Sequence, residues 1–367
     1  MIRFEPREPA SLPRLILIPV AAALIALLLA ALPISAAGVN VLEAYGLMGK
    51  GAFGSLFSFT EMLTRATPLI LTGLAAALAF RAKLWNIGAE GQLYAGALAA
   101  VAVGTGWIDA PGVILLPLVV FAGALAGGAV MLGPTLLKTR LGVDEVVTTL
   151  LLNFVILLFV QMMLEGPMQD PMGMGWPQSE PILDQAILPK LMDRMRIHGG
   201  LIIALAAALA IHILLKRTVW GFEIRAVGEN ASAAAHAGLP VRATFIRVGL
   251  LSGALAGLAG VGEVAGLKGY LTADLSPGFG YSGIVVAMLA GLNPIGVVVA
   301  ALFIASIFVG ADSMSRATGV SNYLADLIVA MALISVLVSG LFLRFRIKFI
   351  RPHAAAASTQ AASQETK

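Results

Sequence analysis

Residues 216–243, KRTVWGFEIRAVGENASAAAHAGLPVRA, form the polar interval around which the rest of the chain is organised. Apolar runs flank this interval on both sides, and its Lys and Arg residues outnumber its glutamates. In a membrane protein, loops rich in Lys and Arg stay on the cytoplasmic side. Asn230 can cap a short helix, residues 231–237 favour helix formation, and Gly238 and Pro240 can end it. We therefore predict a small cytoplasmic helix that another protein contacts.

The composition is that of an all-α polytopic integral membrane protein. Hydrophobic residues make up 59% of the chain, charged residues only 12%, and the mean hydropathy is +0.93. A soluble chain is about half apolar and about a quarter charged. The +4 net charge is spread over segments of cytoplasmic type, which indicates membrane topology rather than nucleic-acid binding.

Catalytic and metal sites are not predicted. The chain has no cysteine, which excludes disulfides, thiolate metal sites and cysteine nucleophiles. Its four histidines have no metal-ligand spacing, and no phosphate-binding loop of the GxxxxGK[ST] type is present. The sequence therefore predicts no nucleotide site and no bound cofactor in this chain.

Hydropathy and the positions of Lys and Arg predict about ten membrane segments with both termini in the cytoplasm. Arginines precede the first segment, and basic residues follow the last. The predicted segments are 15–37, 61–80, 86–103, 113–137, 143–164, 201–215, 244–265, 281–292, 295–310 and 322–343.

The remaining parts of the chain follow from these segments. Residues 15–343 form the transmembrane domain, with the cytoplasmic loop 216–243 between segments six and seven. Residues 1–14 are expected to be a cytoplasmic N-terminus, 38–58 and 166–199 periplasmic connections, and 344–367 a disordered cytoplasmic tail.

Residues 281–292 are too short to span a bilayer alone, and Asn293-Pro294 separates them from the next apolar run. Irregular backbone at membrane depth is tolerated when it is buried in protein or lines a cavity, and interrupted segments mark transport pathways. An ordinary span kinked at Pro294 explains the pattern equally well. Both alternatives stay open at this stage.

Polar side chains inside apolar segments are the other candidates for function. An intramembrane carboxylate is costly and normally functional, although the first turns of a helix also favour an anion such as Glu90. A buried amide usually bonds a neighbouring helix, which we favour for Asn153. We expect Asn86, Glu90, Gln92, Asn153 and Asn293 to line the pathway or to pack helices. Two other carboxylates, Glu61 and Glu263, lie near segment ends and are interpreted as interfacial.

Six short motifs occur across residues 60–345: NIGAEGQ (86–92), EVVTTLLLN (145–153), RAVGEN (225–230), AHAG (235–238), GYSGIVVAMLAG (280–291) and NPIG (293–296). These motifs, in this order, resemble those of the permease subunits of bacterial ABC importers of the simple-sugar/nucleoside type. The NIGAEGQ form is similar to permeases served by lipoproteins of the basic-membrane-protein type, which commonly bind nucleosides.

The resemblance implies a multi-pass permease of the bacterial inner membrane, embedded in membrane lipid, without its own motor. Cytoplasmic ABC ATPase subunits would use ATP, and a periplasmic or lipoprotein solute-binding protein would deliver the solute. A second permease subunit, a copy or a sister chain, would complete the pathway. The residues implied in coupling to the ATPase are Arg225, Gly228, Glu229, Asn230 and Gly238.

Other functions remain possible on the sequence. A ribose-like simple-sugar permease shares the same motifs. An ion-coupled secondary transporter would need intramembrane carboxylates or proton relays, and the long basic loop would then lack a purpose. A membrane enzyme would need a nucleophile–base or metal constellation, which the sequence does not indicate.

Overall fold

The computed structural model describes residues 2–6, 25, 27–106, 108 and 110–349. Within them the helices are α1 (Leu27–Ala36), α2 (Val41–Phe53), α3 (Leu56–Arg81), α4 (Ala89–Gly104), α5 (Gly112–Leu141), α6 (Glu145–Leu164), α7 (Gly200–Arg217), α8 (Val219–Glu229), α9 (Ala231–His236), α10 (Val241–Val261), α11 (Phe279–Leu289), α12 (Pro294–Thr318) and α13 (Asn322–Arg344). A π-helical segment, Gly262–Lys268, continues α10, and a 3-10 turn covers Asp184–Ala186. The helical fold class is confirmed.

The two ends of the described chain pair with each other. Strand β1 (Ile2–Pro6) lies antiparallel to β2 (Phe345–Phe349), with Ile2 opposite Phe349 and Pro6 opposite Phe345. The predicted tail, 344–367, therefore begins with a strand, and its residues 350–367 lie outside the described part. The first ten residues of predicted segment 15–37 also lie outside it.

Six of the described helices are long and apolar enough to cross a bilayer: α3, α5, α6, α7, α10 with its π-helical extension, and α12. The pair α1 and α2, bent by 116°, would add a seventh as one broken span. The count of about ten segments therefore stays a prediction.

Helix α3 lies at the centre of the bundle, whereas α5 and α6 lie at its surface. Nearly all of α3 is buried, and threonine hydroxyls along it return hydrogen bonds to its own backbone, as Thr64 does to the Thr60 carbonyl at 2.9 Å. On α5 and α6, large apolar side chains such as Phe121 and Leu158 are exposed. This distribution suits a protein whose outer helices are solvated by lipid.

Glycines bring α10 into backbone contact with α4 and α5. A Cβ atom on Gly253 would lie 2.3 Å from the Gly127 carbonyl oxygen, and one on Gly260 would lie 2.0 Å from that of Leu93. Because no other residue fits at such distances, the glycines fix α10 against both neighbours. The π-helical segment that follows is thereby held in place.

Residues 281–292 do not form one span with the apolar run after them. Helix α11 has 11 residues, about 16 Å at 1.5 Å per residue, which is too short to cross a bilayer. Gly291 and Leu292 have φ values of +58° and +60°, and Asn293 caps α12 by accepting a hydrogen bond from the Ile295 amide. The structure thus has two separate helices rather than a single span kinked at Pro294.

Two helices occupy residues for which only a connection was expected. Helix α2 lies within 38–58 and packs on α12, where Gly51 contacts Ser313. Helix α8 lies between segment six and the predicted short helix. Helix α2 alone is too short to cross a bilayer, and α8 is short and of mixed polarity, so neither was predicted as a separate segment.

Candidate functional site

A polar cavity of about 800 Å³ lies beside the first turns of α3, between α3, α12, α13 and the π-helical segment. Four basic and five acidic side chains line it: Arg65, Arg196, Lys268 and Arg316, with Glu61, Glu263, Asp274, Asp312 and Asp326. A second cavity of about 530 Å³ shares several of these residues and extends to α2. We call the larger one the polar cavity.

Ion pairs hold most of the cavity's charged groups in position. The Arg65 Nη2 atom lies 3.2 Å from the Asp312 Oδ2 atom, joining α3 to α12, and its guanidinium stands 5.8 Å from the centre of the Phe279 ring. Arg196 lies 3.6 Å from Glu61, and Lys268 lies 3.8 Å from Asp274. Charged groups inside membrane proteins face water-filled cavities or one another, and here they do both.

A buried histidine supports the wall of the cavity. His198 precedes α7 and packs against Gly262 and Gly266 of the π-helical segment, where a Cβ on Gly266 would lie 2.2 Å from its Nδ1 atom. Nδ1 accepts a hydrogen bond from the Gly200 amide at 3.2 Å, and among the described residues Nε2 has no partner. Burial lowers the pKa of His198 to about 4, so the imidazole is neutral near pH 7.

Two of the predicted residues, Asn86 and Gln92, form a reciprocal amide pair away from the cavity. The Asn86 Nδ2 group donates to the Gln92 Oε1 atom, and the Gln92 Nε2 group donates to the Asn86 Oδ1 atom, both at 2.9 Å. Asn86 also donates to the Ser252 hydroxyl, which in turn donates to the Ala75 carbonyl. Both amides are fully buried. We call Asn86, Gln92 and Ser252 the amide network; it ties α4 to α10 and α3.

Glu90 and Asn153 join α4 to other helices. Glu90 accepts a hydrogen bond from the Gly280 amide at 2.6 Å, at the start of α11. Asn153 on α6 accepts from the Gly91 amide at 2.8 Å and donates to the Tyr281 hydroxyl at 3.2 Å. Neither side chain lines either of the two cavities formed by the described residues.

Asn293, the last of the predicted pathway residues, has the role of a helix cap. It is exposed, and like the other four it is absent from the lining of the two described cavities. The contacts of these five residues are those of residues that pack or cap helices, and their pathway role stays a prediction.

The short helix predicted for residues 231–237 is present as α9 (Ala231–His236), while its cytoplasmic location stays a prediction. The Asn230 side chain caps it by accepting a hydrogen bond from the Ala233 amide at 3.1 Å, and Gly238 follows with a φ of +80°. Ser232, Ala233, Ala235 and His236 form its exposed face.

Three residues expected to contact a partner make contacts within the chain through α8. A Cβ on Gly228 would lie 2.0 Å from the Arg81 carbonyl oxygen at the end of α3. The Arg225 guanidinium donates to the Leu215 carbonyl, and Lys83 donates to the Glu229 carbonyl at 3.2 Å. Helix α8 is thus fixed to the end of α3 opposite the polar cavity.

The sequence analysis did not predict the polar cavity. Glu61 and Glu263, interpreted as interfacial, both line it, and Glu263 is almost fully buried. Arg65 inside predicted segment 61–80 was the available signal, since an intramembrane charge is normally functional. Predicted segment 295–310 ends before Asp312, but α12 continues through it to Thr318.

Comparisons with known proteins identify the family. Residues 58–337 match the family model described as branched-chain amino acid transport system / permease component. The chain is 38% identical to a glucose ABC transporter permease protein of Haloferax volcanii, covering 90% of this chain and 89% of that protein. It is 37% identical to a guanosine ABC transporter permease protein of Bacillus subtilis, covering 88% of this chain and 92% of that protein.

A nucleoside ABC transporter permease protein of Lactococcus lactis is 34% identical, with 83% of this chain and 85% of that protein covered. No solved structure matches the chain. The chain belongs to the branched-chain amino acid transport system / permease component family, and it is a multi-pass membrane permease subunit of an ABC transporter, which works with ATPase and substrate-binding partners.

Proposed function

We propose that this chain forms the import pathway for a nucleoside or a related small solute across the bacterial inner membrane. The observation that carries the proposal is the polar cavity, a volume of about 800 Å³ lined by hydrogen-bonding groups inside an otherwise apolar bundle. Small-molecule sites span about 300–1,000 Å³. Polar groups inside such a bundle are retained where a solute passes.

Relatives support a solute rich in hydroxyl groups. Two of them are named for guanosine and nucleosides, and one is named for glucose. Ribose and glucose both present several hydroxyls, and the cavity offers both donors and acceptors. A simple sugar is therefore the second candidate, favoured by the glucose permease relative.

The proposed topology places the polar cavity toward the periplasm and α8 and α9 toward the ATPase. Lys and Arg flank the segments on the proposed cytoplasmic side, including residues 216–243. The pairing of β1 with β2 supports a common side for both chain ends, as about ten segments require.

Helix α3 connects the two ends of the molecule. Its 26 residues extend about 39 Å, with Arg65 at the cavity and Arg81 under α8. We propose that ATPase subunits move α8 and α9, and that α3 carries this movement to the ion pair between Arg65 and Asp312. ATP would act in this way only if its binding favours one of two pathway states.

The remaining partners are proposed from the family. A second permease subunit completes the pathway, and a periplasmic or lipoprotein solute-binding protein delivers the solute. The chain itself is proposed to bind no cofactor and to catalyse no reaction, since the ATPase subunits hydrolyse ATP.

Uptake under selective energy depletion tests this proposal. Cells carrying the complete transporter are given tritiated guanosine or glucose, and the chain is deleted in a matched control strain. We expect ATP depletion with the ion gradient maintained to stop uptake, and gradient collapse with ATP maintained to leave it largely intact. The reverse pattern would establish an ion-coupled secondary transporter.

A further inference from the structure

The carboxylate of Glu263 differs from the other acidic groups of the polar cavity. Glu263 is only 3% exposed, yet its side chain lines the cavity. Among the described residues its carboxylate makes no hydrogen bond and no ion pair. Glu61, Asp274 and Asp312 each have a basic partner, although the Glu61 Oε1 atom is buried without a hydrogen bond. Asp326 has no ion pair either, but it is exposed, so Glu263 combines burial with a carboxylate that has no basic partner. It is a buried acceptor aimed into an open space.

The nearest cations leave its oxygens available. Arg65 and Lys268 are the basic groups whose charge reaches Glu263. Arg65 is held by Asp312, and Lys268 donates to the Thr272 hydroxyl at 3.1 Å and pairs with Asp274. Neither cation makes a hydrogen bond or an ion pair with Glu263, so its two oxygens stay available.

The backbone fixes the direction of this side chain. Glu263 lies in the π-helical segment, a rare form that recurs at functional sites. The flanking Gly262 and Gly266 face His198, so the segment cannot rotate without displacing the buried imidazole. A buried carboxylate without a partner is costly, which makes its retention in this fixed orientation a sign of recognition.

We propose that Glu263 recognises the solute by accepting two hydrogen bonds from a pair of adjacent donors. This inference rests on the proposed function. A carboxylate has two oxygens and accepts two parallel bonds. Vicinal sugar hydroxyls present such a pair, and so does the N–H edge of a guanine base.

Uptake ratios in the complete transporter distinguish these donors. Tritiated guanosine is compared with 2′-deoxyguanosine, which lacks one hydroxyl, and with inosine, which lacks the 2-amino group. We expect the wild type to prefer guanosine about tenfold over one of the two analogues, the value of a hydrogen bond to a charged group. Glu263→Gln should reduce that ratio to about threefold or less. Glu43→Gln, at an exposed glutamate of α2 that lines neither cavity, serves as the matched control and should keep it.

The ratio that changes in Glu263→Gln identifies the donors. If uptake of 2′-deoxyguanosine rises relative to guanosine, Glu263 binds the sugar hydroxyls; if uptake of inosine rises, Glu263 binds the base. If Glu263→Gln retains both wild-type ratios, or lowers uptake of all three solutes by one factor, the proposal is overturned. If Glu263→Gln does not fold, Glu263→Asp is measured instead. Recognition by Glu263 predicts an uptake ratio for Glu263→Asp between the wild-type value and the value without discrimination, whereas a structural role predicts wild-type ratios at any protein level.

Failure of the proposed function would look different. If the wild type takes up neither guanosine nor glucose, the proposed import function itself is contradicted. If the wild type takes up glucose alone, 2-deoxyglucose replaces the nucleoside analogues, and loss of the glucose preference in Glu263→Gln is then the supporting result.

Discussion

The amide network and the polar cavity both place polar side chains inside an apolar helical bundle, but they differ in how completely these groups are paired. Every donor and acceptor of the Asn86 side chain is engaged by Gln92, Ser252 or the Gly88 amide. In the cavity, Glu263 has no partner among the described residues, and the ion pairs are longer and partly exposed. The completeness of hydrogen bonding therefore distinguishes polar groups that stabilise the fold from polar groups that are available to a solute.

The difference leads to opposite expectations for mutation. Removing one member of a fully paired network leaves its buried partners unsatisfied, which lowers stability. Removing a group that faces a cavity lets water replace it, so stability changes little while transport changes. The predictions below test this separation.

The largest effect on stability is expected for Asn86→Ala. The change leaves Gln92 and Ser252 without their buried partner, and we expect the free energy of unfolding to fall by about 3 kcal/mol. Thermal unfolding of the protein purified in detergent measures it. Asn293→Ala, which removes only an exposed helix cap, is the matched control and should cost about 1 kcal/mol. Equal losses in both variants would show that the amide network stabilises the fold no more than an exposed helix cap does.

His198 should make the fold sensitive to acid. Burial lowers its pKa from the ordinary 6.5 to about 4, so between these values the unfolded chain binds a proton that the folded chain does not. The free energy of unfolding should therefore fall as the pH decreases, by about 2 kcal/mol between pH 7 and pH 5. Melting temperatures at the two pH values test this. His198→Gln should flatten the dependence, and the exposed His236→Gln should not; an unchanged slope in His198→Gln would contradict the assignment.

Loss of the α9 cap should affect coupling more than the fold. Asn230→Ala removes the bond to the Ala233 amide, which stabilises this short helix by about 1 kcal/mol. We expect ATP hydrolysis by the complete transporter to continue while uptake falls several-fold. Asn230→Asp, which keeps the capping oxygen, is the control. If Asn230→Ala transports like the wild type, α9 does not couple the ATPase to the pathway.

The smallest stability change is expected at the cavity itself. In Asp312→Asn the pair with Arg65 is lost, but both side chains are about one-third exposed, so the free energy of unfolding should change by less than about 1 kcal/mol. Uptake should nevertheless fall about tenfold or more, since the pair joins α3 to α12. A variant that melts early and transports normally would reverse the expected separation.

Hydropathy, charge and capping residues were sufficient to predict most helices. Apolar runs located α3, α5, α6, α7, α10 and α12, and Asn230 with Gly238 marked α9 because caps act within a few residues of sequence. Helices α2 and α8 were missed because they are short and mixed in polarity, and tertiary packing stabilises them.

The cavity could not be predicted because its residues come together only in three dimensions. Arg65, Glu263 and Asp312 lie on different helices, and no spacing relates them. Gly228 was expected to contact a partner, but its lack of a side chain is required by the Arg81 carbonyl. Substitution at Gly228 would therefore disturb the fold as well as coupling, and Asn230 is the cleaner probe.

We expect the polar cavity to be open to the outside and occupied by solute, whereas the amide network is closed. The chain has no native cysteine, so single cysteines report accessibility without background. Leu267→Cys lines the cavity, and Ser252→Cys lies in the network. The measurement is the rate of modification by a membrane-impermeant thiol reagent in whole cells. We expect Leu267→Cys to react and to be slowed by the transported solute, and Ser252→Cys to stay unmodified. Equal reactivity at both positions, or an inert Leu267→Cys beside a reactive Ser252→Cys, would contradict the account.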